Sequence, residues 1–429
     1  MDTIYALSSG SVPSGIAVIR VSGPTVEAAL PKICGSLPSP RVAVLRDVRR
    51  PGDGETIDRG LVLWFPGPAS FTGEDCVELH LHGGRAVIEA VFEALSALGM
   101  RIAEPGEFTK RAFLNGKLDL TAAEGIADLV AAETEVQRRQ ALRQAGGALS
   151  ERSARWRDGL INLRAQIEAR LDFSDEGDVP EGLPTSFAGN ITCILEQMRE
   201  AVAGASAGER VRDGFRVAIL GRPNAGKSSL LNALARREVA IVTEEPGTTR
   251  DVLEVSLNLQ GYPVVLFDTA GLRDADSLAE REGVRRAHAA ADDADLVLWL
   301  FDPAMGAAAV PNMTAPVWPI PTKVDLYPWL AKNERSVSAK SGVGLAALES
   351  KLREAASAAL GSGSAVITRQ RQRLAVEQAI VCLDGVSDAD DEIVADLLRS
   401  AGDAIGRLSG RIGVEQVLDR VFRDFCIGK

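Results

Sequence analysis

The sequence predicts an α/β unit with a P-loop and a mostly parallel sheet, inserted into an all-α helical domain and preceded by an α+β domain. Three observations predict it. VAILGRPNAGKSSLLNAL (217–234) reads as strand, glycine-rich turn and helix. Stretches of helical periodicity lie on both sides of that unit. The first 115 or so residues alternate strand-like with helix-like segments. The expected boundaries are 1–116 for the α+β domain, 117–213 for the first helical part, 214–361 for the α/β unit and 362–429 for the second helical part.

In the first segment IAVIRV (16–21) and GLVLWF (60–65) read as strands. CVELHLH (76–82) alternates, with Val77, Leu79 and Leu81 facing one way and Cys76, Glu78, His80 and His82 the other. From Lys117 the character changes. Thr121 and Glu124 have capping-box spacing, and an Ala/Leu/Arg-rich tract with helical periodicity runs on to about Leu171. SDEGDVPEGLP (174–184) reads as a loop, followed by a further helical piece. From Phe215 strands and helices alternate in the βαβ manner as far as LGSGSA (360–365), after which helical periodicity returns.

A chain of 429 residues is too long for one ordinary core. Hydrophobic residues at 46% and charged residues at 25% are the profile of a soluble globular protein. The first twenty residues lack a basic start followed by an apolar run, and charges interrupt every later hydrophobic stretch, so the expectation is a cytoplasmic protein with no membrane association. The five cysteines are scattered without a C-x-x-C pair, against a disulfide framework or a zinc site. A net charge of −11 argues against indiscriminate nucleic-acid binding. A local basic patch is compatible with it, and Arg138, Arg139, Arg143, Arg152, Arg155 and Arg157 make the helical tract locally basic. A solvated helix face and an RNA-contacting face both fit that pattern.

The P-loop residues Asn224, Ala225, Gly226, Lys227, Ser228 and Ser229 can wrap phosphates with backbone N–H groups at the start of a helix. Lys227 would reach the β- and γ-phosphates, and Ser228 would ligate Mg²⁺. Downstream, Thr243, Glu244, Glu245, Pro246, Gly247, Thr248 and Thr249 form a switch segment, in which Thr249 can cap the Mg²⁺. VVLFDTAGL (264–272) is a buried strand ending in Asp268, Thr269, Ala270 and Gly271. Asp268 serves the Mg²⁺ water shell and the Gly271 N–H senses the γ-phosphate. In TKVD (322–325) Asp325 can accept from guanine N1–H and N2–H₂, donors that adenine lacks, and Lys323 flanks it. Ser338, Ala339 and Lys340 close the base pocket. Four such elements in order predict a site for GTP. Thr322 departs from the usual Asn, which ties the base loop to the P-loop. A shorter hydroxyl there bears on nucleotide affinity more than on nucleotide identity.

Leu272 stands where small signalling GTPases carry the Gln that positions water, so another group must orient the attacking water. Asp274, Asp276 and Glu280 are the acids at hand, and a solvated charge run fits the same residues. The amide oxygen of Asn224 could coordinate a monovalent cation where an arginine finger would otherwise act, although Asn is also an ordinary turn residue.

Together these residues resemble the MnmE (TrmE) family of bacterial tRNA-modification GTPases over the whole chain. The resemblance rests on IAVIRVSG (16–23), GEDCVELHLHGG (73–84), PGEFTKRAFLNGKLDL (105–120), GRPNAGKSSLLNAL (221–234), TEEPGTTRD (243–251) and the terminal FCIGK (425–429). It implies a G domain interrupting a helical domain and an N-terminal, dimerising, folate-binding domain. It implies K⁺ held by Asn224, Thr243, Glu245 and Thr248 when two G domains meet, and Glu280 as the catalytic acid in the pattern E-R-x-G. It further implies a tetrahydrofolate derivative, 5-formyl or 5,10-methylene, held by Arg20, Glu78, Lys117 and Lys429. The implied partners are a second copy of the chain, the flavin-containing MnmG and tRNA. The implied outcome is an aminomethyl or carboxymethylaminomethyl group at carbon 5 of the wobble uridine. Other readings stay open: Glu78 with His80 and His82 as a metal trio, Cys426 as a nucleophile or a structural thiol, and the whole as a ribosome-assembly switch or a transferase with a vestigial G domain.

Overall fold

The computed structural model describes the chain apart from residues 1, 173–183, 223, 238, 242–252, 269–293, 306–312, 328, 330–334, 387–388, 413–421, 423–424, 426–427 and 429; at 253 and 268 it describes only the backbone. The chain divides into two compact units, residues 1–127 with 406–429, and residues 128–405.

In the first unit β1 (Ile4–Leu7), β2 (Ser14–Ser22), β3 (Val44–Arg49), β4 (Thr56–Phe65), β5 (Cys76–Gly83) and β6 (Arg101–Ile102) form one sheet in the order β3-β4-β5-β2-β1-β6. Only β1 and β6 run parallel. The alternation read in CVELHLH is realised. Val77, Leu79 and Leu81 are buried against α1 (Val26–Ala29), α2 (Pro31–Cys34) and α3 (Arg85–Ala97), while Glu78 and His80 are half-buried and His82 is exposed. Cys76 is buried although it shares the face of Glu78, because Thr72 closes over it with Oγ1 3.1 Å from the sulfur. In α4 (Glu107–Leu114) Phe108 packs with Ile4 and Ala6 of β1, and α5 (Leu120–Ala131) follows.

The cap of α5 differs from the one expected. Asp119 Oδ1 accepts from the Ala122 N–H at 2.8 Å and from the Thr121 hydroxyl at 2.9 Å, so Asp119 caps the helix, and Thr121 and Glu124 are buried inside it. A two-sided capping box does occur one helix later, between Thr134 and Gln137.

In the second unit the long helical tract is broken into α6 (Glu135–Ala145) and α7 (Ala148–Asp172) at Gly146 and Gly147. The longest described helix, α7, buries Leu149, Ser153, Trp156, Leu160, Leu163 and Ile167, one stripe at steps of three and four. The predicted loop 174–184 lies outside the described residues up to 183. Of the basic positions, Arg138 and Arg139 both pair with Glu135, and Arg152 pairs with Glu200. The remaining α-helices among the described residues are α8 (Ser186–Ala203), α9 (Ala205–Asp213), α10 (Lys227–Ala235), α11 (Leu345–Leu360), α12 (Gln370–Asp384) and α13 (Asp391–Ser409). No helix among the described residues is long and apolar enough to cross a membrane.

The second sheet contains β7 (Phe215–Gly221), β8 (Ala240–Ile241), β9 (Leu253–Leu259), β10 (Tyr262–Asp268), β11 (Leu296–Phe301) and β12 (Val317–Pro321) in the order β12-β11-β7-β10-β9-β8. The first four in that order are parallel. A central parallel strand must be apolar on both faces, and Val217, Ala218, Ile219 and Leu220 are all buried. Gly221 ends β7 with φ +150 where a Cβ would stand 2.3 Å from the Leu300 carbonyl oxygen, so only glycine lets β7 and β11 approach.

Candidate functional site

The strand β7 delivers the chain into a tight turn in which Ala225 N–H donates to Arg222 O at 3.2 Å. Asn224 stands at its exposed tip with φ 60, a left-handed conformation that Asn tolerates better than most residues. Gly226, with φ 93, then starts α10. The first-turn N–H groups of that helix, on Lys227, Ser228 and Ser229, make its N-terminus an anion site. Lys227 Nζ is held 3.0 Å from Gly221 O and 3.1 Å from Arg222 O, across the mouth of the turn.

Beyond β12 the base loop folds against this turn. Gly226, Ser229, Leu230, Thr322, Lys323, Asp325, Leu326, Val337, Ser338, Ala339 and Lys340 line one pocket of about 280 Å³. The sequence-predicted P-loop and base-reading residues thus converge, although about a hundred residues separate them. Asp325 is exposed, and its Oδ1 accepts from the buried Ser338 hydroxyl at 2.6 Å, which aims the carboxylate. Ser338 Oγ in turn accepts from the Ser341 N–H at 3.1 Å. Lys323 lines the pocket while its ammonium is held by Asp302 at 2.9 Å, and Tyr327 donates to the same carboxylate. The hydrogen bond from Lys323 is the main cause that holds the Asp302 carboxyl below its ordinary value. Thr322 is buried, and its hydroxyl lies 2.8 Å from Ala225 O, so it makes the tie to the P-loop expected of the usual Asn.

Residues 243–249, 269–271, Leu272, Asp274, Asp276 and Glu280 lie outside the described residues, as do Cys426 and Lys429; for Asp268 the strand end is described and the side chain is not.

A second pocket, of about 380 Å³, belongs to the first unit and is lined by Arg20, Arg41, Phe65, Ala69, Ser70, Phe71, Cys76 and Glu78. Arg20 on β2 and Glu78 on β5 are cross-strand neighbours, and their side chains pair at 2.8 Å. Burial alone would raise the Glu78 carboxyl. The charge and hydrogen bonds of Arg20, with His80 at 3.2 Å, outweigh it and leave the group below its ordinary value. The Arg20 guanidinium also sits 5.4 Å from the Phe71 ring centroid and 5.8 Å from that of Phe108. Lys117 is exposed and donates to Pro68 O at 2.9 Å, so it braces the loop that forms the pocket's wall. The metal trio is not assembled. Glu78 and His80 pair together, whereas His82 pairs with Asp58 at 2.8 Å, and no three-residue metal cluster occurs among the described residues.

Sequence reading missed Arg41, Phe65 and Phe71, which reach the pocket from loops and a strand end. Phe71 stands two residues ahead of the GEDCVELHLHGG motif, the one signal that could have included it. It also missed the ion cluster behind the pocket, where Arg111 meets Glu107, Glu74 and Asp2 at 2.9, 3.1 and 2.9 Å. The i, i+4 spacing of Glu107 and Arg111 was its visible half.

Comparison with known proteins agrees with this arrangement. The model of the GTP-binding protein TrmE N-terminus matches residues 3–117, and that of the MnmE helical domain matches residues 120–426. The tRNA modification GTPase MnmE of Azorhizobium caulinodans is 51% identical over 433 residues, covering 100% of this chain and 99% of its own length. The MnmE of Rhizobium meliloti (strain 1021) is 50% identical over 440 residues, with coverage of 100% and 99%. That of Methylobacterium sp. (strain 4-46) is 51% identical over 440 residues, with full coverage of both chains. With an α/β G domain set within helices, a TrmE-type N-terminal domain and half its residues shared from end to end with these relatives, the chain belongs to the MnmE/TrmE family.

Proposed function

We propose that the chain is a tRNA-modifying GTPase whose GTP cycle drives folate-dependent addition of an aminomethyl or carboxymethylaminomethyl group at carbon 5 of the wobble uridine. The observation that carries the reading is the pocket shared by the P-loop and Asp325. A carboxylate aimed by Ser338 suits the N1–H and N2–H₂ of guanine, and a helix N-terminus with Lys227 suits its phosphates. Adenine would offer the same carboxylate no donor in return for its desolvation.

Ser228 and Thr249 would hold Mg²⁺, which supplies charge neutralisation at the phosphate oxygens. The hydroxyl of Ser228 at the start of α10 is a hard oxygen donor of the kind Mg²⁺ takes. Asn224, Thr243, Glu245 and Thr248 would hold K⁺, and Glu280 would orient the attacking water. Arg20 and Glu78 would bind the tetrahydrofolate derivative, with Lys117 and Lys429 completing the set. A guanidinium and a carboxylate beside Phe65 and Phe71 in about 380 Å³ fit a heteroaromatic ring with donor and acceptor edges. A second copy of the chain, the flavin-containing MnmG and tRNA are the partners of this reading.

Nucleoside mass spectrometry tests it. A strain lacking the chain should lose aminomethyl-type groups at the wobble uridine. The wild-type gene should restore them, and a Glu280→Ala variant that still binds GTP should not. Unchanged tRNA nucleosides in the deletion strain would instead favour a GTP switch in ribosome assembly.

A further inference from the structure

Thr322 does more than replace an Asn. It follows β12, is 4% exposed, and places Oγ1 2.8 Å from Ala225 O in the P-loop and 3.1 Å from Phe301 O at the end of β11. A hydroxyl has one proton to give, and both of these neighbours are carbonyl oxygens that can only accept. Whichever carbonyl takes it, the proton is committed to backbone. Ser338, the other buried polar side chain lining the pocket, commits its proton to Asp325 Oδ1 at 2.6 Å.

Guanine presents two different edges to such a pocket. One edge carries the N1–H and N2–H₂ donors, which Asp325 can accept. The opposite edge carries N7 and O6, which are acceptors and need donors. Neither buried hydroxyl has a proton left for N7. An Asn at position 322 would differ, because its amide carries two N–H donors and could tie down one carbonyl while giving the second proton elsewhere. We infer that the base pocket of this chain reads guanine through its N1 and N2 donors and is blind to N7, and that Thr322 is a positioning residue that locks the base loop onto the P-loop. This rests on the guanine-site reading above and names the specificity of that same site.

The test is a binding titration of the full chain with GTP and with 7-deaza-GTP, in which C–H replaces the ring nitrogen. Wild-type protein should bind the two within about twofold. A hydrogen bond to N7 would make the deaza analogue weaker by about fivefold or more. Such a loss in the wild type overturns the inference, whether the donor is Thr322 or one of the exposed lining groups, Ser229 and Lys340. Thr322→Val keeps the shape and removes the proton, and it should weaken GTP and 7-deaza-GTP by the same factor, about fivefold. Thr322→Ser should restore both. If Thr322→Val weakens GTP but spares 7-deaza-GTP, the hydroxyl reads the base after all. If it weakens neither, the positioning role falls. Should Thr322→Val fold poorly by thermal melting, the wild-type ratio and the Ser variant still decide the question. A wild-type chain that binds neither nucleotide would defeat the guanine-site reading itself, which is a separate outcome.

Discussion

Glu78 illustrates how much of a pocket's chemistry turns on one neighbour. Half-buried on β5, its carboxyl would be pushed up by desolvation, and Arg20 across the strand pair reverses the sign. A carboxyl lowered in the folded state contributes stability that is fully present above its ordinary value of 4.5. That contribution is lost as pH falls through the lower folded value. Replacing Glu78 with Gln should therefore cost stability at neutral pH. The difference from wild type should shrink as urea melts are repeated at pH values falling from 4.5 downward. A difference that stays constant across that window would mean the pair contributes nothing through charge. The same residue pair also forms part of the pocket wall, so a calorimetric tetrahydrofolate titration of the Gln variant separates binding from stability.

At the scale of elements, the segment 66–75 between β4 and β5 is held as a wall by contacts from α4 and the residues after it. Asn115 Nδ2 donates to Thr72 O at 2.7 Å and Lys117 to Pro68 O at 2.9 Å. Arg111, 3% exposed, holds Glu74 and Glu107 together beneath it. Arg101 also pairs with Glu107 and Asp2, so removing Arg111 takes the charge partner chiefly from Glu74, and breaking a buried pair costs about 3 kcal/mol. Arg111→Met should lower the unfolding free energy by about that amount, read from urea melts. It should also loosen the loop that carries Phe71, seen as faster amide exchange at 69–72. Intact stability would mean that Glu74 finds another partner, since Glu107 keeps Arg101. In the second unit the corresponding device is the tie from Thr322 to Ala225, which holds a loop after β12 against a loop after β7.

For the whole molecule, the proposed cation site would draw its ligands from Asn224 and from Thr243, Glu245 and Thr248, at a place where two copies meet. Asn224 is exposed at the tip of the P-loop turn, which suits a ligand that completes its shell on dimer formation. GTP hydrolysis should accordingly be far faster in K⁺ than in Na⁺ at equal ionic strength; the two ions carry the same charge, so the difference reads how well the ligand set fits the larger ion. Asn224→Ala should abolish the difference and leave GTP affinity nearly unchanged. Equal wild-type rates in the two salts would remove the cation from the mechanism.

The sequence by itself determined the alternation of strands and helices around the P-loop and named Gly226, Ser229, Lys323, Asp325, Ser338, Ala339 and Lys340, which the structure brings into one pocket. These depend on short-range rules: a strand must be apolar on both faces to sit inside a parallel sheet, a glycine-rich turn must precede a helix to bind phosphate, and a carboxylate must be present to accept from guanine. It determined the Glu78 face of β5 for the same reason, since alternation has a period of two. Local signals also misled at one point. The Thr121–Glu124 spacing was correct for a cap, but Asp119 stands at the helix start, where its carboxylate takes both the Ala122 N–H and the Thr121 hydroxyl. Only the tertiary structure decided that Thr322 reaches Ala225, that Arg41, Phe65 and Phe71 share a pocket with Arg20 and Glu78, and that His82 turns to Asp58 and not to a metal. Those arrangements join residues up to 97 positions apart. The distance across such a gap is set by how strands and loops pack, which no local pattern encodes.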